Sequence, residues 1–523
     1  MRSHALCVVT IMLVHDFLQN SAARLPNKVA LIHRGQRLTY AEIDERANRL
    51  ANALIAQGVR RGDRVAIFLP NSVEAVVSIF ATLKAGGVFV VINSSTKENK
   101  LLYILNNCRA TALVADPRPL GDGGISRVID GAPSLTGVFV CADSRPESPL
   151  PQKAQLYAEA LSISSPATPP RINIDLDLAC LIYTSGTTGE PKGVMSDHSN
   201  VDFATSSIIE YLRNVETDIV IGLLPLSFDY GLYQLLMTFK FGGTLVLENG
   251  FTYPVAILKQ IEQERVTGFP GVPTIFAMLL QMDLSGFNLS SLRYVSNTAA
   301  ALPPSHIQEI RHKFPKVTIY SMYGLTETKR TLYLPPEWLD RKPGSVGIAI
   351  PGTEVWIEDE AGNRLPPGQT GELVVRGRHV MRGYWEAPEA TAKRYRNSTE
   401  IPGERVCLSG DIFRTDKDGF MYFVGRKDDI IKSRGEKVSP KEVENVIYGI
   451  PGVVEVAVVG VPDPILGQAV KAFIVVKDPA ITKDKVLAHC RANLEDIMRP
   501  KFIEFRDSLP KTNSGKITKT GLA

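Results

Sequence analysis

The chain has 523 residues, longer than a single hydrophobic core usually supports, so two or more domains are expected. Its 59 basic and 55 acidic side chains leave a net charge of +4 with no long basic run, which argues against nucleic-acid binding and for small-molecule or protein partners. Six cysteines, at 7, 108, 141, 180, 407 and 490, show neither C-x-x-C spacing nor nearby histidine pairs, which argues against a disulfide framework or structural zinc and suits a reducing, cytoplasmic setting.

From the N-terminus, residues 5–14 are apolar after Arg2, a run of about ten, below the ~18 of a spanning helix and without a small-residue cleavage site. They read as an irregular N-terminus, with a signal peptide as the alternative, Met12 an equally good start and no transmembrane segment expected. Thr39 and Glu42 form a T-x-x-E capping box before a helix over 41–55, whose apolar positions Ile43, Ala47, Leu50, Ala51 and Leu54 follow helical spacing. Residues 65–69 then read as a buried strand, and similar alternation returns over 219–294, so the N-terminal two-thirds is expected to build parallel α/β layers.

Residues 178–183 are a further apolar strand, followed by Thr184-Ser185-Gly186-Thr187-Thr188-Gly189-Glu190-Pro191-Lys192-Gly193. Hydroxyls, glycines and one lysine at a strand's carboxyl end suit a polyphosphate: glycines let backbone N–H groups approach an anion, hydroxyls add donors, and Lys192 adds charge. Pro191 separates Gly189 from Lys192, and Gly193 stands where a Walker A loop has Ser or Thr, so P-loop NTPase chemistry is disfavoured. The bland alternative is an ordinary Ser/Thr/Gly surface loop.

Past about Gly344 short β-like runs take over at 354–357 and 372–375, with a hairpin signal at Asp418-Gly419. The charged segment Gly425-Arg426-Lys427-Asp428-Asp429 reads as a junction to a small α+β domain. Ser439 as N-cap, Pro440 and Glu442 signal its first helix and Gly449 that helix's end, with strands over 454–459 and 469–476.

Four more segments accompany the hydroxyl-rich loop: Tyr323-Gly324-Leu325-Thr326-Glu327, Ser409-Gly410-Asp411, the stretch from Gly425 through Lys437 to Pro440, and Pro510-Lys511-Thr512-Asn513-Ser514-Gly515-Lys516. Each alone has a structural explanation. An aromatic can stack on a base, a carboxylate can hold Mg²⁺, and a turn-presented carboxylate can accept ribose hydroxyls. In this order, over nearly the whole chain, the five strongly resemble the adenylate-forming superfamily of acyl-CoA synthetases, nonribosomal-peptide adenylation domains and firefly-type luciferases.

The resemblance implies a large N-terminal domain (1–427) of two α/β subdomains plus a β-barrel-like subdomain, and a small mobile C-terminal domain (428–523). It implies an ATP-dependent acid–thiol ligase that forms an acyl-adenylate and passes the acyl group to CoA or a phosphopantetheinyl carrier protein acting in trans. By that resemblance Thr184, Ser185, Gly186, Thr187, Thr188, Gly189 and Lys192 hold the β/γ-phosphates, Thr326 contacts the α-phosphate, and Glu327 binds Mg²⁺. Tyr323 flanks adenine beside Thr298, Ala299 and Ala300, which replace the Gly-Gly pair of relatives. Asp411 and Arg426 take the ribose, with Lys437 also on the nucleotide. Lys516 bridges carboxylate and α-phosphate, Asp428 is the hinge, and Gly435 reaches the thiol tunnel.

The acid is less defined. Phe228-Asp229 matches amino-acid adenylation domains, in which the aspartate meets the substrate amine, and Tyr230 and Tyr233 follow it as pocket candidates. Against this, Arg330 follows Thr326-Glu327-Thr328-Lys329 and could neutralise Asp229, leaving a pocket for an uncharged acyl chain. Both readings stay open, as does a purely local capping role for Asp229.

Overall fold

The computed structural model describes residues 12–142, 150–184, 190–298, 302–433, 436–464, 466–512, 516–519 and 521–522. Two compact units divide the chain, one of residues 1–250 with 378–391, the other of 251–377 with 392–523. Among the described residues, no helix is long and apolar enough to cross a membrane.

In the first unit the capping box forms as expected. Thr39 accepts from the Glu42 backbone and the Glu42 carboxylate returns to Thr39 N at 2.7 Å, starting the helix Tyr40–Ala56. Such a cap contributes about 1 kcal/mol. Ile43, Ala47, Leu50, Ala51 and Leu54, the stripe read from spacing, are all fully buried. Arg64–Phe68 lies between Ala110–Ala115 and Val88–Ile92 as a parallel strand, with Leu178–Thr184 next and Lys192–Asp197 antiparallel at the edge. Helices cover this sheet, so strands such as Val88–Ile92 are buried along their whole length, and period-2 alternation is absent.

In the second unit Gly268–Gly271, Tyr294–Asn297 and Thr318–Tyr323 run parallel, and Leu332–Leu334 returns antiparallel. A separate antiparallel sheet holds Glu354–Glu358, Thr370–Arg376, Arg405–Thr415 and Met421–Arg426. The Asp418-Gly419 signal is the turn joining the last two, with Gly419 at φ 84°. From Ile431 onward another sheet forms, in which Val453–Asp463 pairs with Gly467–Val476. Its own core includes Val443, Ile447, Val456, Val458 and Ile474. Ser439 caps the helix Pro440–Tyr448 through Glu442 N at 3.2 Å. Gly449 ends that helix at φ −70°, without the left-handed turn that glycine at this place suggests. The mixed α/β architecture agrees with the expectation.

Candidate functional site

In the first unit the strand Leu178–Thr184 delivers Thr184, and the chain returns as the antiparallel strand Lys192–Asp197, with Thr184 opposite Lys192 in register. A strand, where a Walker A loop has a helix, follows the loop. Ser185, Gly186, Thr187, Thr188 and Gly189 lie outside the described residues. The Lys192 ammonium lies 5.9 Å from the centroid of the Tyr384 ring. The Tyr384 segment is fixed beside it: Tyr384 makes an isolated bridge with Val194, and Trp385 N donates to Gly193 O at 2.7 Å. Tyr384 was missed in the sequence because its contact with Lys192 is far from local.

Asp229 opens the helix Asp229–Phe241 and is buried, with Tyr230 and Tyr233 inaccessible one face along. Pro225 O would lie 2.4 Å from a Cβ at Gly231, so only glycine admits this close approach. The helix has no side-chain cap, and Asp229 occupies its first turn, where a carboxylate also meets the helix dipole favourably.

The second unit gathers a compact polar group. Tyr323, at the end of the strand Thr318–Tyr323, donates its hydroxyl to Asp411 Oδ2 at 2.6 Å. Asp411 and Arg426 are direct cross-strand partners, and Arg426 Nε lies 2.9 Å from Asp411 Oδ1. Burial raises the Asp411 carboxyl above its ordinary value, with Arg426 and the Tyr323 hydroxyl opposing it. Burial, then the neighbouring Asp411, pushes the Tyr323 phenol far above its usual range. Phe413 and Phe423 pack edge-on and tilted on the Tyr323 ring, at 4.9 and 6.3 Å, and fix its plane.

The residues after Tyr323 fold back tightly. Thr331 N donates to Tyr323 O at 2.9 Å, and Thr328 N to Leu325 O at 3.0 Å. Glu327 is thereby buried, 3.6 Å from Arg394 Nε, while Thr326 is half-buried. Lys329 and Arg330 are inaccessible, and Lys329 takes the left-handed backbone at φ 58°. Thr298 follows the strand Tyr294–Asn297, and its hydroxyl is buried with no hydrogen-bond partner among the described residues. Ala299 and Ala300 lie outside the described residues, as does Gly435. Asp428 is exposed in a turn after Met421–Arg426, and Lys437 lies in the strand Glu436–Val438.

Lys516 lies beside Ile517, which bridges Lys511, and Thr512 N donates to Lys516 O at 2.8 Å; Asn513, Ser514 and Gly515 lie outside the described residues. Two further residues had no sequence-level signal: Arg394, beside Glu327, and Lys342, whose ammonium bridges Asp416 and Asp418 at 2.7 and 2.5 Å. The D-x-D-G hairpin points to that second contact only once Lys342 is known to face it.

The orphaned Thr298 hydroxyl, the buried Asp411 carboxylate and the packed Tyr323 ring fit a nucleoside. One carboxylate, Glu327, with the Thr326 hydroxyl fits a hard cation that keeps most of its ligands as water and phosphate. Against known proteins, residues 18–385 match the family described as AMP-binding enzyme, and residues 442–516 match AMP-binding enzyme C-terminal domain. The chain belongs to the AMP-binding enzyme family.

Members of the family that it resembles include a long-chain-fatty-acid–CoA ligase of Bacillus subtilis (strain 168), 34% identical over 97% of this chain and 94% of the relative. A feruloyl-CoA synthase of Amycolatopsis sp is 37% identical, covering 94% of this chain and 95% of that one. The crystal structure of an anthranilate CoA ligase, AuaEII, in complex with anthranoyl-AMP superposes with a TM-score of 0.89 at 29% identity, covering 98% and 96% of the two chains. This AMP-binding enzyme is accordingly an AMP-forming acid–thiol ligase by class.

Proposed function

We propose that the protein activates an organic carboxylic acid with ATP, releasing pyrophosphate, and transfers the acyl group to the thiol of CoA. The observation that carries this reading is the Tyr323, Asp411 and Arg426 group, in which a buried, doubly held carboxylate is ready to accept a pair of vicinal hydroxyls. The relatives' names support the acid and the thiol.

A carboxylate is a poor nucleophile toward an anionic phosphate, so charge must be neutralised at the α-phosphate and on the departing pyrophosphate. Thr184 and Lys192, with the loop that begins between them, take the β/γ-phosphates; Thr326 takes the α-phosphate. Glu327 would hold Mg²⁺, which supplies positive charge to the phosphate oxygens. Lys516 supplies a further cation to the attacking carboxylate and the α-phosphate. Asp428 is proposed as the hinge between residues 1–427 and 428–523, so that the C-terminal domain offers the Lys516 face for adenylation and the Gly435 face for thiol transfer.

A second reading rests on Asp229, a buried carboxylate in a helix's first turn, which would pair with the amine of an amino acid destined for a carrier protein. ATP–pyrophosphate exchange over a panel of fatty, aromatic and amino acids separates the two. Exchange with acids lacking an amine, unchanged by Asp229→Ala, supports the CoA ligase reading. Exchange only with amino acids, lost in Asp229→Ala, supports the second.

A further inference from the structure

Lysine is a point charge on a flexible four-carbon stem, so a lysine can serve a reaction precisely only if its backbone is held. Among the described residues, the two arms around Lys516 are half-exposed and joined by the Lys511–Ile517 bridge, Thr512 N to Lys516 O at 2.8 Å, Lys516 N to Thr512 Oγ1 at 3.2 Å and Thr518 N to Pro510 O at 2.9 Å. Such a segment would wander if nothing tied it to the body of the protein.

Two ion pairs do so, one on each arm. On the arm after Lys516, Lys519 Nζ lies 2.9 Å from Glu444 Oε1. Glu444 is buried on the helix Pro440–Tyr448, and the same oxygen accepts from Val458 N at 3.1 Å, which fixes the carboxylate before Lys519 arrives. On the arm before it, Lys511 Nζ lies 2.5 Å from Glu455 Oε1, while Leu509 N donates to Glu455 Oε2 at 3.2 Å. Glu455 belongs to the strand Val453–Asp463. Beneath the arms Leu509, Ile517 and Leu522 pack on Val459 and Phe473. Both carboxylates are largely shielded, with side chains 9% and 12% exposed, so these pairs are screened less than ordinary surface pairs.

We propose that Lys519 and Lys511 are positioning residues, clamped to Glu444 and Glu455 so that the two arms present the Lys516 ammonium at one fixed place. The inference rests on the adenylation role proposed for Lys516. The clamp and Lys516 belong to the same small sheet-and-helix body, so the pairs travel with Lys516 and bear on adenylation alone. Thiol transfer, in which Lys516 has no part, is independent of them.

The test compares Lys519→Met, Lys511→Met, their arginine counterparts Lys519→Arg and Lys511→Arg, and Lys516→Ala, all in the full chain. Three readouts are taken: kcat of acid-dependent ATP–pyrophosphate exchange, KM for ATP, and acyl transfer to CoA from preformed acyl-adenylate. The methionine variants keep the apolar stem and leave Glu444 bonded to Val458 N and Glu455 bonded to Leu509 N, so the fold is preserved. The expected result is a fall of about ten- to a hundredfold in exchange kcat, the size of effect that a misplacement near 1 Å produces, with ATP KM and acyl transfer unchanged and arginine restoring most of the rate. Wild-type exchange in both methionine variants, with Lys516→Ala inactive, overturns the positioning role. Exchange and transfer falling together also overturns it, because the pairs would then serve only the fold. Normal exchange by Lys516→Ala instead removes the role of Lys516 itself.

Discussion

Tyr323 and Asp411 meet through a 2.6 Å hydrogen bond between the end of a parallel strand and the middle of an antiparallel one, and Arg426 closes the other side of the same carboxylate. Asp411 is therefore a buried carboxylate held by one hydrogen bond, from Tyr323, and one ion pair, with Arg426. Tyr323→Phe removes the first, and a hydrogen bond to a charged group is worth about 1.5–3 kcal/mol. KM for ATP is expected to rise about ten- to a hundredfold.

The same pair fixes a pH dependence. Burial raises the Asp411 pKa, and both Arg426 and Tyr323 lower it. On the ribose-binding role proposed for Asp411, binding needs the ionised carboxylate, so kcat/KM for ATP is expected to fall as pH drops through the Asp411 pKa. Arg426→Ala and Tyr323→Phe each remove a lowering influence, and the acid limb of the profile should move to higher pH in both. A limb that stays in place would show that Asp411 does not govern it.

Lys192 and Tyr384 give a test in the first unit. The ammonium faces the ring at 5.9 Å, a contact worth about 0.5–1 kcal/mol. Tyr384→Phe keeps the ring and should leave ATP-dependent turnover unchanged, while Tyr384→Leu should lower it about two- to fivefold.

Gly324 lies within the Tyr323-to-Glu327 motif, and close packing requires glycine there: a Cβ would lie 1.7 Å from Lys329 O. Gly324→Ala should displace the Thr326–Glu327 turn, abolish pyrophosphate exchange and cost about 1–3 kcal/mol of stability by thermal or urea unfolding. Gly419→Ala is the control. It has positive φ but open space around it, and should cost only about 1 kcal/mol with exchange retained.

His15 and His198 stack edge to face at 6.0 Å in the first unit, and Val14 N donates to His198 Nδ1 at 3.0 Å. Burial lowers both pKa values from 6.5 to about 3, with Lys84 adding to the shift of His15 and His15 to that of His198. Both rings are neutral in the folded state, and the unfolded chain takes up protons first as pH falls below 6.5. Stability should therefore decline between pH 6.5 and about 3, with a slope of up to ~1.4 kcal/mol per pH unit for each ring. Urea midpoints of His198→Gln across this window should show a shallower decline than wild type.

The helices and strands were legible where local signals act. The Thr39–Glu42 box, the buried stripe from Ile43 to Leu54 and the Ser439 cap all follow from contacts within a few residues. The junction of Asp411 with Arg426 was legible only through the resemblance, because cross-strand register is not written in either strand alone. Tyr384 beside Lys192, Arg394 beside Glu327 and Lys342 across Asp416 and Asp418 were not legible at all, since each depends on how distant segments pack. The acid was not legible for a similar reason: Asp229 and Arg330 are both buried charges, and a sequence does not say what faces them.

The decisive measurement is acid-dependent exchange of labelled pyrophosphate into ATP by the purified full chain, followed by addition of CoA. Exchange that requires a carboxylic acid, with AMP and acyl-CoA appearing in equal amounts once CoA is present, is the expected result. Release of ADP and phosphate, or exchange indifferent to any acid, would contradict carboxylate adenylation as the chemistry of this chain.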